Sequence, residues 1–294
     1  MDPLLSGVFP MTVTPLAADG SVSERELPRV VAFGLDNGCH GIAALGLGGE
    51  VDYLEHDERR RIAEVVVDAA AGAPVVVGCS SPDTDLSVEL ALHAAGAGAA
   101  VVMLAPPRRP DWTRAQLHDH YAAVANAIAP LPLMVQDAPA FVGVALDAPF
   151  VAALRADCPN VTYAKPESVP AADRTAELVE LGGIHVFAGH GALHYLDALE
   201  AGAHGIIPGC ELPGAYVRIF EDHRAGRVSE ARALFARVLP LVVSQFQTLD
   251  LFIAASKTLL VERGVIERAD TRSGATISPL ARRLLLEHAR FAVQ

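Results

Sequence analysis

The chain has 294 residues, 51% hydrophobic and 20% charged, with 23 basic against 35 acidic groups for a net charge of -12. A chain of this size and composition can bury about three quarters of the surface it exposes when unfolded, which excludes intrinsic disorder. The acidic surplus, with no basic cluster longer than Arg59-Arg60-Arg61, argues against nucleic acid or an anionic membrane as a partner.

Through residue 225 one theme repeats: a short apolar run, then a longer amphipathic stretch. The runs are Gly7 to Val13, Gly41 to Leu45, Pro74 to Val77, Ala99 to Leu104, Leu131 to Val135, Val161 to Ala164, Ile184 to Ala188 and Gly205 to Ile207. Helices are predicted between them. One opens on Ser23 with Glu26 three residues on, and another spans Glu55 to Ala71. Eight strands apolar enough to be buried on both faces predict an α/β fold, a (β/α)8 TIM barrel. A doubly wound sheet would need a Gly-rich loop after its first strand, and Met11 to Pro15 offers none. From residue 226 three helical patterns follow, Val228 to Gln247, Asp250 to Arg263 and Pro279 to Ala292. The expected organisation is a catalytic barrel over 1–225 and, over 226–294, a three-helix extension packed on the barrel or on a neighbouring subunit.

No apolar run approaches the roughly 20 residues of a membrane span, and Met1-Asp2-Pro3 lacks a basic leader region. Cys39, Cys79, Cys158 and Cys210 form no C-x-x-C pair. Four reduced thiols in a cytoplasmic protein, without a zinc ribbon, are expected.

In such a barrel the residues that close each strand form the active face. Lys165 and Lys257 are the only lysines, so 21 of the 23 basic residues are arginine. A retained lysine is a candidate for amine chemistry that arginine cannot perform. Lys165 closes the sixth run, and strand alternation places Glu167 on its face. Desolvation at the mouth of an apolar barrel makes the amine a nucleophile toward a ketone, and Glu167 can carry protons to and from the adduct. Lys257, inside an apolar helix, is expected to snorkel.

The loop Gly46-Leu47-Gly48-Gly49-Glu50 frees backbone N–H groups that suit a 2-oxo acid carboxylate, although a tight turn without ligand reads equally well. Gln136 and Asp137 close the fifth run, and Gly189-His190-Gly191 follows the seventh. His190 and His194, with His185, have spacing suggestive of zinc. His185 falls within a strand and no third ligand stands out, so no metal is expected and His190 is read as a polar pocket residue.

At these residues the sequence resembles the dihydrodipicolinate synthase and N-acetylneuraminate lyase superfamily, Schiff-base (β/α)8 enzymes with a C-terminal helical extension. Gly46 to Glu50 matches its G-x-x-G-E carboxylate loop, Tyr163-Ala164-Lys165 its imine-forming strand, and Gly189 to Gly191 its strand 7 loop. The synthases and aldolases carry Tyr-Asn-x-Pro after strand 5, where this chain has Gln136-Asp137-Ala138-Pro139, and Phe141 stands where the synthase places an arginine. Those departures, with Ser256 to Gly264 near the end, are similar to the branch that contains L-2-keto-3-deoxyarabonate dehydratase. That branch uses a glutamate two residues after the lysine for acid-base work and has asparagine at the place of His190.

The resemblance implies a class I lyase. It would bind a small 2-oxo acid through Leu47, Gly48, Gly49, Gln136, Asp137, Gly189 and His190, and react through Lys165 and Glu167. Dehydration of a 2-oxo-3-deoxy sugar acid is the expected reaction. Pyruvate-dependent aldol cleavage, a synthase-like condensation and a catalytically silent 2-oxo-acid binder are the alternatives. No cofactor is called for, and a homodimer or homotetramer is implied.

Overall fold

The computed structural model describes residues 4–293. Eight parallel strands follow one another in sequence order around a sheet: β1 (Gly7–Val8), β2 (Ile42–Ala44), β3 (Val75–Gly78), β4 (Val101–Leu104), β5 (Leu133–Asp137), β6 (Val161–Pro166), β7 (His185–Ala188) and β8 (Gly205–Ile206). β1 pairs with β8, and Met11 bridges both Ala43 and Gly209, which closes the ring into a (β/α)8 barrel. Each apolar run predicted from the sequence contains or overlaps one of these strands.

The first run is longer than its strand because Pro10 has no N–H for the ladder. Beyond Val8 the pairing continues through Phe9 N to Ile206 O (2.9 Å) and Met11 N to Pro208 O (2.8 Å) on one side, and through Ala43 N to Pro10 O (3.0 Å) and Thr12 N to Ala43 O (2.8 Å) on the other. Side chains alternate across the barrel wall. Phe9, Met11, Ala43, Val76, Val101, Met103, Met134, Tyr163, Phe187 and Ile207 fill the interior. The other face packs against the helices α1 (Leu27–Asp36), α2 (His56–Ala69), α3 (Thr84–Ala97), α4 (Arg114–Ile128), α5 (Pro139–Val142), α6 (Ala148–Asp157), α7 (Ala171–Glu180), α8 (Tyr195–Glu200) and α9 (Pro213–Arg224).

Helix α1 starts at Leu27, later than the Ser23 signal predicts. Glu26 is buried, and its carboxylate accepts from Glu267 N at 3.1 Å instead of folding back to cap Ser23. The α2 start is close to prediction, with Glu55 and Glu58 forming a reciprocal capping box.

Three more helices follow: α10 (Val228–Gln245), α11 (Leu249–Glu262) and α12 (Pro279–Val293). α10 packs on α9 and α12, while α11 crosses the turn that follows β2. Phe252 to Leu260 of α11 are buried without a break. No single helix among the described residues is long and apolar enough to cross a membrane.

Candidate active site

Two adjacent strands carry the polar centre of the barrel mouth. In the β5–β6 ladder Gln136 is the register partner of Lys165, and Asp137 that of Pro166. Alternation turns Gln136 and Lys165 toward the cavity. Lys165 Nζ contacts Glu167 Oε1, both side chains being buried, and Gln136 Nε2 lies 3.5 Å from Glu167 Oε2. Glu167 is held by its own backbone, whose N–H donates to Asp137 O at 2.7 Å, and by the N–H of His190, which donates to Oε1 at 3.2 Å. An amine and a carboxylate in contact, away from water, can add to a carbonyl and relay the protons of that addition.

The cavity around them is lined by Leu47 and Gly48 from the β2 loop, Phe141 of α5, Gly191 after β7, Met11 past β1, Ile207 and Pro208 past β8, Phe246 just after α10, and Leu249 and Phe252 of α11. Its volume is about 380 Å³, counted to where it opens to solvent. None of the five tyrosines lines it.

The β2 loop forms a tight turn in which Gly49 N donates to Gly46 O (2.9 Å) and Glu50 N to Leu47 O (3.2 Å). That leaves the N–H groups of Leu47 and Gly48 for an anion. Gly49 is not among the lining residues: its carbonyl accepts from Thr14 Oγ1 at 2.7 Å, which fixes the turn to the end of the first strand segment.

Three further residues expected to touch ligand also lie outside this lining. Asp137 points to the frame, accepting from Leu146 N (2.8 Å) and from Ser168 Oγ, because the residue after an inward-facing strand position faces outward. Burial pushes its carboxyl above the usual range, with the Ser168 and Leu146 bonds and Arg174 opposing. Gly189 sits beneath Glu167, where a Cβ would collide with the carboxylate. His190, at φ 56°, stands edge-on to Phe141 and Phe246 and borders a neighbouring small cavity. Burial lowers the pKa of His190, an effect the Glu167 charge opposes.

The rings of His190 and His194 are 5.7 Å apart, but His185 stacks on His204 at 4.0 Å and its Nδ1 lies 3.2 Å from Leu5 O. Among the described residues no group of three or more His, Cys, Asp or Glu is gathered to hold a metal ion.

Lys257 does not snorkel. It is fully buried, ion-paired with Glu50 and donating to Asp270 O at 2.8 Å. The lining residues that strand-end reasoning missed are Phe246, Leu249 and Phe252, which come from outside the eight β/α units. The break between two apolar helical patterns at residues 246–249 was the available signal.

A (β/α)8 barrel with a buried amine and carboxylate in contact at the C-terminal end of one strand defines an enzyme of the lyase or aldolase type. The chain belongs to the dihydrodipicolinate synthetase family, whose sequence pattern matches residues 4–284. It is 36% identical over 267 residues to the L-2-keto-3-deoxyarabonate dehydratase of Azospirillum brasilense, covering 88% of this chain and 85% of that one. It is 32% identical to the probable mitochondrial 4-hydroxy-2-oxoglutarate aldolase of Emericella nidulans, over 80% of this chain and 79% of the other. Among solved structures, a putative dihydrodipicolinate synthetase from Pseudomonas aeruginosa superposes with a TM-score of 0.92 at 27% identity, covering 98% of this chain and 100% of that one.

Proposed function

We propose that the protein is a class I lyase that binds a small 4-hydroxy-2-oxo acid, joins it to Lys165 as an imine and eliminates water across carbons 3 and 4. The observation that carries this reading is the Lys165–Glu167 contact in a cavity without a tyrosine. The N–H groups of Leu47 and Gly48 receive the substrate carboxylate, and Lys165 Nζ attacks carbon 2. Loss of water from the carbinolamine gives a protonated imine, which acidifies the protons on carbon 3. Glu167 removes one of them, and the electron pair of the broken C–H bond becomes the C2–C3 double bond of an enamine. The enamine then expels the carbon 4 hydroxyl, which takes the proton from Glu167 and leaves as water. The product is an unsaturated imine that hydrolyses to a 2-oxo-3-enoic acid and free Lys165.

Retro-aldol cleavage instead breaks the C3–C4 bond of the imine and needs a base for the carbon 4 hydroxyl proton. Gln136 can hydrogen-bond that hydroxyl but cannot accept its proton. The 2-oxo-3-deoxy sugar acids are one class with the required hydroxyl, and the dehydratase relative from Azospirillum is named for such a compound. The aldolase relative from Emericella supports cleavage as the second reading. The family resemblance supports a homodimer or homotetramer, which sedimentation would read out.

Mass spectrometry of products decides between the two reactions: a product lighter by one water supports dehydration, whereas pyruvate with an aldehyde overturns it. Borohydride with pyruvate tests the imine. A mass increase on the Lys165 peptide is expected, and a protein that binds pyruvate yet gains no mass is a silent binder.

A further inference from the structure

Beyond Gln136, Lys165 and Glu167 the side chains that line the cavity are all hydrocarbon or thioether. Phe141 and Phe246 meet edge to face at 5.7 Å, Phe246 and Phe252 at 4.9 Å, and His190 stands against Phe246 at 5.1 Å. Leu47 and Leu249 continue the same surface. The polar side chains lining the cavity are Gln136, Lys165 and Glu167, which stand together at the ends of β5 and β6, and Lys165 is the one cation among them.

The reacting end of the substrate occupies all three. Lys165 takes carbon 2, Glu167 serves carbon 3, and Gln136 is left for the carbon 4 hydroxyl. Hydroxyls on carbons 5 and 6 would leave water for a wall of phenylalanine and leucine, and a buried hydroxyl without a partner is costly. A second carboxylate would meet no cation there, with the Glu167 carboxylate nearby. An aromatic ring, by contrast, finds faces and edges arranged for further edge-to-face contacts. Phe141, Phe246 and Leu249 are only partly buried, and Phe246 and Leu249 flank the short link between α10 and α11.

Resting on the imine reading above, we infer that the group on carbon 4 of the substrate is apolar and aromatic. The substrate class is then a 4-aryl-4-hydroxy-2-oxo acid, in place of a sugar acid or a dicarboxylate. The chemistry agrees with dehydration: loss of the benzylic hydroxyl together with a carbon 3 proton places the new double bond between the ring and the imine. That conjugation favours elimination.

The test compares three 4-hydroxy-2-oxo acids that share carbons 1 to 4 and carry on carbon 4 a phenyl ring, a dihydroxyalkyl chain or a carboxylate. The phenyl compound is expected to exceed both others in kcat/KM by at least about tenfold, the low end of what one hydrophobic subsite discriminates. Replacement of Phe246 by asparagine is expected to cut kcat/KM at least about tenfold for the phenyl compound and much less for the dihydroxyalkyl one. Equal or better turnover of the sugar acid or the dicarboxylate by the wild type overturns the inference, as does a phenyl preference untouched by both Phe246→Asn and Phe141→Asn. Pyruvate trapping on the wild type separates the two levels. An adduct on Lys165 with no preference for the ring removes the inference alone, whereas no adduct removes the imine reading and the inference with it.

Discussion

Glu50 and Lys257 form a buried ion pair that ties the loop after β2 to α11, and neither side chain reaches solvent. Glu50 also accepts from Arg272 N at 2.6 Å, and Arg272 pairs in turn with Glu58 of α2. Glu50 adopts a left-handed conformation at φ 63°, so the chain turns there to aim the carboxylate inward at the cost of local backbone strain. Burial lowers the Lys257 pKa, and the Glu50 carboxylate works against that shift.

Breaking this pair leaves a buried carboxylate without its cation. Lys257→Met is therefore expected to cost about 3–5 kcal/mol of stability, and the double variant Glu50→Gln, Lys257→Met to recover part of the loss. Because Glu50 anchors the turn that holds Leu47 and Gly48, the double variant should also raise KM for the 2-oxo acid more than it lowers kcat. Denaturant titration and steady-state kinetics measure both, and an unchanged KM would separate the ion pair from the loop.

Lys257 also marks where the sequence stops being legible. Its segment reads as an apolar helix, but its partner Glu50 lies on the far side of the chain in sequence, and no local pattern joins them. The strands are legible because burial on both faces makes each an apolar run. The positions of Lys165, Glu167 and Gln136 follow from strand alternation once the barrel is recognised. Asp137, proposed from its place at the end of the fifth run, faces the frame because alternation turns Gln136 toward the cavity. Phe246, Leu249 and Phe252 reach the mouth only through the path of α10 and α11, which depends on tertiary packing.

Glu167→Gln separates imine formation from the proton transfers that follow. The amide keeps the shape and can hydrogen-bond, but it cannot take a proton from carbon 3. Turnover should fall by about 10²- to 10⁴-fold, while pyruvate and borohydride still label Lys165. Lys165→Arg should lose both, since guanidinium stays charged. Retained turnover in Glu167→Gln would assign the acid-base work to another group.

Gly189 gives a test of position in place of chemistry. At φ -119° and ψ -136° its backbone lies outside the regions alanine favours, and the added Cβ would collide with the Glu167 carboxylate. Gly189→Ala should therefore push that carboxylate away from Lys165 and lower kcat by roughly 10²-fold, the scale of a displacement of about 1 Å in a reacting group. Its melting temperature should fall as well, so kcat is compared at a temperature where the variant remains folded. A variant with full kcat would mean that Glu167 reacts from another rotamer.

His120 sets an acid limit on the fold that is independent of the site. It lies buried in α4 between Trp112 and Tyr121, its Nδ1 paired with Thr84 Oγ1 at 2.8 Å and its Nε2 without a hydrogen-bond partner. Protonation would place an unpaired charge there, and burial lowers its pKa to about 4, with Asp83 opposing. In the unfolded chain the same group titrates near 6.5. The folded value is the lower one, so the unfolded state binds more protons between these limits. The stabilisation is fully present above about pH 6.5 and is lost as the pH falls toward about 4. At 1.36 kcal/mol per pKa unit this amounts to roughly 3 kcal/mol. His120→Asn keeps a hydrogen-bonding group near Thr84 and removes the titration. It should be less stable than wild type at pH 7.5, through lost aromatic packing, yet lose less of its remaining stability on going to pH 4.5. Denaturant titrations at the two pH values measure the difference, and parallel losses in both proteins would show that His120 does not carry this part of the acid sensitivity.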